Sequence, residues 1–312
     1  MIYNFKNLKV DRIKNRYNTD KAPHKAILLL SIIQLFENNL IDLGKIFPTD
    51  NNLIETYQLL WECLEYNKIG PIYLPFFHLK SDKFWILQFK CGFENTRSIK
   101  SLKHLCEAVE YASFEKDFQG NFKDEQFRKL KIEELLYGGY FNSKEIERLK
   151  SELNIISESY NYENEILQKV NTEFSLEDSL KDFFSEKSRD ISFRRIICNS
   201  YNFKCALCGI SLILECGINI VDAAHILPFN KFKNDDPRNG LCLCKTHHWL
   251  FDKGIFTIKS DYSVKITKTI LKQEPSDLIA KFNNITICLP ETKNFIPALI
   301  AFEWHNKNVF LG

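Results

Sequence analysis

A surplus of either charge is missing from this chain: 42 Lys and Arg stand against 40 Asp and Glu in 312 residues, a formal net charge of +2. Composition therefore does not announce a nucleic-acid binder, and any phosphate contact would have to come from a local excess of cations. Also absent is an uncharged apolar run of 18 residues, and residues 1–9 (M-I-Y-N-F-K-N-L-K) contain no apolar core of the signal-peptide type. These absences argue against a spanning helix and a secretory leader, and they make the cytoplasm the expected location, with no membrane partner. No internal repeat or low-complexity tract occurs, so a solenoid is not expected. What remains is an ordinary globular composition, 45% hydrophobic, in a chain long enough for two or three domains. Ten cysteines without a secretory leader point to free thiols and metal ligation in a reducing compartment rather than to a disulfide framework.

Four of the ligating residues are grouped. Cys205-x-x-Cys208 and Cys244-x-x-His247 form two close pairs, the arrangement that closes a tetrahedral Cys3His shell around structural Zn2+ with no open position. The alternative is a set of buried free thiols acting as small hydrophobes. Cys242 could compete as a ligand, but it has no partner at the right offset and reads as packing.

A second constellation lies inside the first. His225 ends an apolar run (Ile218, Ile220, Val221, Ala223, Ala224) that reads as a strand stopped soon afterwards by Pro228. Asn239 follows in a loop marked by Asp-Asp-Pro and Asn-Gly. His248 and Asp252 are four apart on a short helical segment, so they share a face and can reach one ion. An imidazole near its ordinary pKa of about 6.5 suits the removal of a proton from water at neutral pH. A divalent cation (Mg2+ or Mn2+), held by His248 with Asp252 or Asp222, suits the charge that develops on a phosphodiester. The amide of Asn239 fits a role in fixing the loop that carries the base.

These residues resemble an HNH endonuclease of the ββα-metal class. The resemblance implies His225, Asn239 and His248 as the catalytic series, Cys205, Cys208, Cys244 and His247 as the zinc knuckle, and double-stranded DNA as substrate. It extends to R-D-I-S-F-R-R-I-I-C-N-S-Y-N-F-K before the first Cys pair, to F-D-K-G-I-F-T-I after the last helix, and to the closing E-W-H-N-K-N-V-F with His305. One position departs: where many members have a metal-binding His or Asp directly before the base, this chain has Ala224, and Asp222 is the nearest substitute. Because one such site makes one cut, double-strand cleavage implies a homodimer or two independent nicks.

Charge is distributed unevenly. Residues 142–180 carry 4 basic and 9 acidic side chains, whereas residues 181–312 carry 18 basic and 13 acidic ones, with Lys231, Lys233, Arg238, Lys245 and Lys253 near the motif. Lys245 is the candidate phosphate contact among them. The acidic stretch, with leucines and isoleucines from Ile146 to Leu180, predicts connecting helices. The expected division is a DNA-recognition domain over 1–154, a helical linker over 155–187 and the catalytic domain over 188–312. The expected fold class is α+β: a mixed helical and β N-terminal DNA-reading domain, the helical linker, and a zinc-braced ββα-metal domain.

In the N-terminal domain, A-I-L-L-L-S-I-I-Q-L-F predicts a buried helix capped by Thr19 or Asp20 with Pro23 in its first turn. Another helix is expected over Leu53–Leu64. Two β-prone runs, Pro71–Leu79 and Phe84–Phe89, are separated by a polar turn, and further helices are expected over 101–118 and 124–136, with Gly138-Gly139 as a stop. A-P-H24-K25 before the leucine-rich helix, P75-F-F-H78-L, and the aspartate turn before F-W-I-L resemble the sulfur-binding domain found ahead of HNH nucleases that cut phosphorothioated DNA. That likeness implies a DNA-reading surface on His24, Lys25, Tyr73, Pro75, Phe76, Phe77 and His78. It departs from the pattern at Leu74 and His78, where members tend to have Tyr and Arg. Phosphorothioated or methylated DNA, unmodified sequence, or DNA shape remain open as what is read. Beside this modification-dependent restriction reading stand a sequence-specific HNH endonuclease of unmodified DNA, an RNA-directed or toxin-type nuclease, and a non-catalytic zinc-containing DNA-binding protein.

Overall fold

A computed structural model describes residues 3–10, 17, 19–68, 70–177, 184–212, 219–273 and 279–312. Ile218 of the expected strand and Leu180 of the expected linker lie outside the described residues, as do residues 178–183 of that linker as a group. Internal packing divides the chain into two compact units that meet in sequence at Ser157/Glu158. Among the described residues no helix is long and apolar enough to cross a membrane.

The first unit is mixed. Its elements are α1 His24–Glu37, α2 Asn51–Glu62, α3 Tyr73–His78, β1 Trp85–Phe89, α4 Leu102–Ala108, β2 Val109–Phe114, α5 Lys116–Asn121, α6 Glu125–Leu136 and the start of a long helix, α7 Ser143–Lys169. Helix α1 is buried all round from Lys25 to Leu35, as its unbroken apolar sequence demands. Its first turn departs from expectation. Neither Thr19 nor Asp20 caps it; the N-cap is Pro23, and the Thr19 hydroxyl instead donates to the carbonyls of Lys21 and Tyr140. Helix α2 is capped by Asp50, which accepts from the Leu53 amide at 3.1 Å, and α7 by reciprocal bonds between Asn142 and Glu145.

Two predicted elements change class. The run Pro71–Leu79 is not a strand: it forms α3 and then a 3-10 turn, Leu79–Asp82. Pro75 is the third residue of α3, where an amide has no intrahelical acceptor in any case, so proline costs nothing there. The helix expected over 101–118 breaks into α4, β2 and α5, because Val109–Phe114 pairs antiparallel with β1, Trp85 opposite Phe114. That ladder fills a core of Phe5, Phe84, Phe114, Phe118 and Phe122 rings in edge-on and tilted contact.

The second unit takes up the rest of α7, then α8 Glu186–Ser200, β3 Val221–His225, the single turn α9 Phe229–Phe232, β4 Gly240–Cys244, α10 Lys245–Asp252, β5 Phe256–Ile258, β6 Val264–Ile266, the short α11 Lys268–Leu271 and α12 Leu299–Asn308. From Glu158 onward the expected linker packs within this unit: Tyr162 and Ile166 bury against Ile196 of α8. Strands β3 and β4 pair antiparallel with Val221 opposite Cys244 and His225 opposite Gly240, and α10 packs on both. A side chain at Gly240 would strike Ile197 and Phe193 of α8 at 2.3 and 3.0 Å, so this glycine is what lets α8 lie on the hairpin.

His305 is buried inside this unit. Its ring stacks on Phe251 at 3.9 Å, its Nδ1 lies 2.9 Å from the Thr257 hydroxyl, and its Nε2 donates to the Phe251 carbonyl at 3.2 Å. It braces α12 to α10 and β5. Burial pushes its pKa down to about 4, with the Phe251 bond opposing. The native state therefore holds this ring neutral while an unfolded chain protonates it below about 6.5, so its contribution to stability is full above pH 6.5 and is lost as pH falls toward 4. The expected loss is about 3 kcal/mol across that window. Urea unfolding of the parent and of His305→Gln at several pH values checks it: the pH dependence between 6.5 and 4 should be shallower in the variant, and equal slopes would refute the assignment.

Candidate active site and metal centre

The two Cys/His pairs converge. Ligand atoms of Cys205, Cys208, Cys244 and His247 all lie within 4.8 Å of one another. The His247 Nδ1 is 3.3 Å from the Cys244 sulfur and 3.5 Å from that of Cys205. A tetrahedron with Zn–S near 2.3 Å and Zn–N near 2.0–2.1 Å has edges of roughly 3.5–3.8 Å, so this donor set fits a structural zinc ion. Without an ion, burial pushes the Cys205 and Cys244 thiols up, Cys244 further through the sulfur of Cys205; a bound cation reverses this by favouring thiolate. Local folding explains the convergence. Cys205 and Cys208 sit in a turn closed by Gly209 at φ +71°, tied to the hairpin by the bond from Ala206 N to Cys242 O, while Cys244 ends β4 and His247 opens α10. Cys242 belongs to the strand interior beside Cys198 and is not part of the donor set.

At the other end of β3, His225 faces a different set of partners. Its Nε2 lies 2.8 Å from Asp235 Oδ1, and the second oxygen of Asp235 accepts from the Tyr162 hydroxyl at 2.7 Å. With a carboxylate at that nitrogen, the Nε2 position carries the proton and the lone pair is left on Nδ1. The ring stacks nearly parallel on Phe193 of α8, 3.9 Å between centroids, which fixes its plane and adds about 0.5–1.5 kcal/mol beyond the area buried. Burial drives the Tyr162 hydroxyl well above the usual tyrosine range, with Asp235 pushing the same way, so it stays a donor.

Asn239 is fully buried in the turn before β4. Its Oδ1 accepts from Leu227 N at 2.8 Å, and its amide donates to the carbonyls of Asn234 and Leu227, while its own carbonyl accepts from Ile226 N. It staples the segment leaving His225 to the loop carrying Asp235. That loop is held by further bonds. Asn234 donates to Ser175 and Leu176 carbonyls, and Arg238 clamps Asp236 while donating to the Lys169 and Thr172 carbonyls at the end of α7. Arg238 is thus spent on structure rather than offered to phosphate.

His248 and Asp252 share one face of α10, as their spacing predicts, with His248 Nε2 3.5 Å from Asp252 Oδ2. Burial raises the Asp252 carboxyl, while the charges of His248, Lys253 and His225 draw it down. A partly buried imidazole and an exposed carboxylate 3.5 Å apart supply the nitrogen and oxygen donors that suit a hard divalent cation. Asp222 is placed elsewhere. Its oxygens pair with Arg194 of α8, at 3.3 Å, and with Lys245. Burial raises its carboxyl, but Lys245 and Arg194 outweigh this and hold it below the usual range. Successive side chains of a strand alternate faces, so Asp222 points away from the side of His225, alongside Ala224, which is packed in the core. The candidate cation pair is therefore His248 and Asp252 without Asp222.

Several of the N-terminal candidates also move. Lys25 is buried, bonded to Asp82 and the Lys9 carbonyl at 2.6 Å each. Pro75 and Phe76 lie in the core, and the Phe76 carbonyl accepts from the Trp85 indole; Phe77 is buried with them. A short, apolar α3 packed on the sheet puts these side chains inward. His24 and Tyr73 are half-buried, His24 against Tyr17 and Trp61, and His78 is exposed. Residues that sequence reasoning missed are Asp235, Tyr162, Phe193 and Asp190. Burial raises the Asp190 carboxyl, with Asp235 and Glu186 adding to it and Arg189 and His225 opposing.

Nitrogen-detected NMR of His225 checks the arrangement. The parent should show the Nε2–H tautomer, and Asp235→Asn should lose that preference; an Nδ1–H tautomer in the parent would contradict the Asp235 bond as drawn.

Comparison with known proteins bears on the same segment. Residues 205–259 match the HNH endonuclease family profile. No curated protein matches the chain. A solved structure, a modification-dependent TagI restriction endonuclease, aligns over 38% of this chain at 21% identity with a TM-score of 0.29, a value too low to carry an argument about fold. The aligned part spans 37% of that protein's length. The hairpin, the four-donor cluster and the His225, Asn239 and His248 series all fall within the matched segment or directly on its scaffold, and the chain carries an HNH endonuclease domain.

Proposed function

We propose that the protein is a metal-dependent DNA endonuclease of restriction type, in which the second unit hydrolyses a phosphodiester and the first unit reads the DNA. One observation carries the catalytic reading: an imidazole whose Nε2 is held by a buried carboxylate, inside a segment that matches an endonuclease profile. His225 Nδ1 takes a proton from water as the oxygen attacks phosphorus, and Asp235 stabilises the imidazolium that forms. Asn239 keeps the strand end and the Asp235 loop in register. A divalent cation held by His248 and Asp252 would neutralise charge on the phosphate and the departing oxygen. Cys205, Cys208, Cys244 and His247 hold a structural zinc that takes no part in the chemistry.

The substrate reading rests on less. Modified DNA, phosphorothioated or methylated, is favoured by the N-terminal motifs that resemble a sulfur-binding domain. With Lys25, Pro75 and Phe76 buried, the reading surface reduces to His24, Tyr73 and His78 among the candidates. The division into a reading domain ending near residue 154 and a catalytic domain whose core begins at 188, with the helix from Glu158 onward packed on it, is part of this proposal, as is pairing of two copies for double-strand cuts.

His225→Ala should abolish cleavage, lowering the rate by at least about 100-fold as expected for loss of a general base, while DNA binding and thermal unfolding stay at parental values. Nicking of matched plasmids, unmodified, phosphorothioated or methylated, with Mg2+ or Mn2+, reads both parts. Parental nicking by the variant would overturn the role of His225, and equal cleavage of all three plasmids would overturn modification dependence.

A further inference from the structure

The outer face of α10 has no role in the chemistry above. Trp249 is 59% exposed on it, next in sequence to the cation ligand His248. Trp61 and Trp85 are buried and Trp304 is half-buried against Phe232, so Trp249 is the tryptophan that faces solvent. Lys245 and Lys253, both exposed, stand four residues before and after it. On a helix of 3.6 residues per turn this i, i+4, i+8 spacing makes one stripe of cation, indole and cation, about 12 Å long at 1.5 Å per residue. An indole of this exposure costs solvation unless it is covered by a partner with a flat apolar face. Charge narrows the partner. Lys245, its side chain 72% exposed beside Asp222, puts a solvent-facing cation at one end of the stripe, and the exposed Lys253 puts another at the other.

We infer that the Lys245–Trp249–Lys253 stripe is a DNA-strand contact, in which Trp249 stacks on a nucleobase near the scissile phosphate and the two lysines meet backbone phosphates on either side. This rests on the endonuclease reading and adds to it a recognition element outside the His225, Asn239 and His248 series. A 12 Å stripe matches about three to four nucleotides at 3.4 Å axial rise per strand. Stacking on an aromatic tolerates any base, so this contact contributes affinity and places the strand rather than selecting sequence.

Intrinsic tryptophan emission tests it, with the full zinc-containing chain, a short DNA duplex or the same strand alone as probe, and no added Mg2+ or Mn2+. Emission from the parent should fall on titration, and its quenching by acrylamide should weaken. Trp249→Phe should lose that response yet bind fluorescently labelled DNA within about twofold of the parent by anisotropy. Trp249→Ala should bind about tenfold more weakly, within the range of one lost base–aromatic stack, with an unchanged unfolding temperature. Lys253→Ala should reduce the slope of log affinity against log salt by about one. Saturating DNA that leaves Trp249 emission unchanged, or parental affinity in Trp249→Ala, overturns this inference while plasmid nicking still stands. Failure of the parent to bind or nick any DNA overturns both.

Discussion

Four soft donors from two distant turns can meet at one point only if the chain between them folds back as a hairpin. The cluster of Cys205, Cys208, Cys244 and His247 is the constraint on which the second unit depends. It anchors the near end of the β3–β4 pair, where Val221 faces Cys244, and it fixes the start of α10. Apparent zinc binding in small structural sites is worth about 10–16 kcal/mol, as large as the roughly 5–15 kcal/mol net stability of a typical domain. No single contact elsewhere in this unit approaches that. The Phe193–His225 stack and the bonds of Asn239 refine a geometry that the four-donor cluster sets.

From that anchored end the register does the rest. Five residues along β3 bring His225 opposite Gly240, and the missing side chain there lets α8 press Phe193 onto the imidazole. A single residue step in α10, about 100° of rotation, separates His247, facing the cysteine sulfurs, from the face bearing His248 and Asp252. Two donor sets of opposite character thus sit on one short scaffold: a closed, sulfur-rich one that could hold a structural ion and the exposed nitrogen and oxygen pair to which the proposal assigns the catalytic cation. Trp249 and its lysines occupy a third face of the same helix.

The parts of this arrangement legible in the sequence were those written as spacing. Cys-x-x-Cys, Cys-x-x-His and the i, i+4 pair of His248 and Asp252 encode proximity in the chain itself. Asp235 was hidden because an Asp-Asp-Pro run ordinarily marks a turn; its role comes from a fold that brings Tyr162 of α7 and His225 of β3 to its two oxygens. Asp222 was misread as a cation ligand because its residue type suits the task, whereas strand alternation turns it to the face of Arg194 and Lys245. The same limit explains the N-terminal unit. Lys25, Pro75 and Phe76 look like surface chemistry in a motif, yet a buried partner at Asp82 and the packing of α3 take them inside. Val109–Phe114 lies between helix-forming segments, and only pairing with Trp85–Phe89 makes it a strand.

Hydrogen exchange of backbone amides, followed by mass spectrometry before and after zinc is withdrawn with a chelator, tests the dependence on the metal centre most directly. Protection should collapse across β3, β4 and α10 together while α1, α2 and the β1–β2 ladder keep theirs. Unchanged protection of the β3–β4 hairpin in protein shown by elemental analysis to be free of zinc would contradict the account.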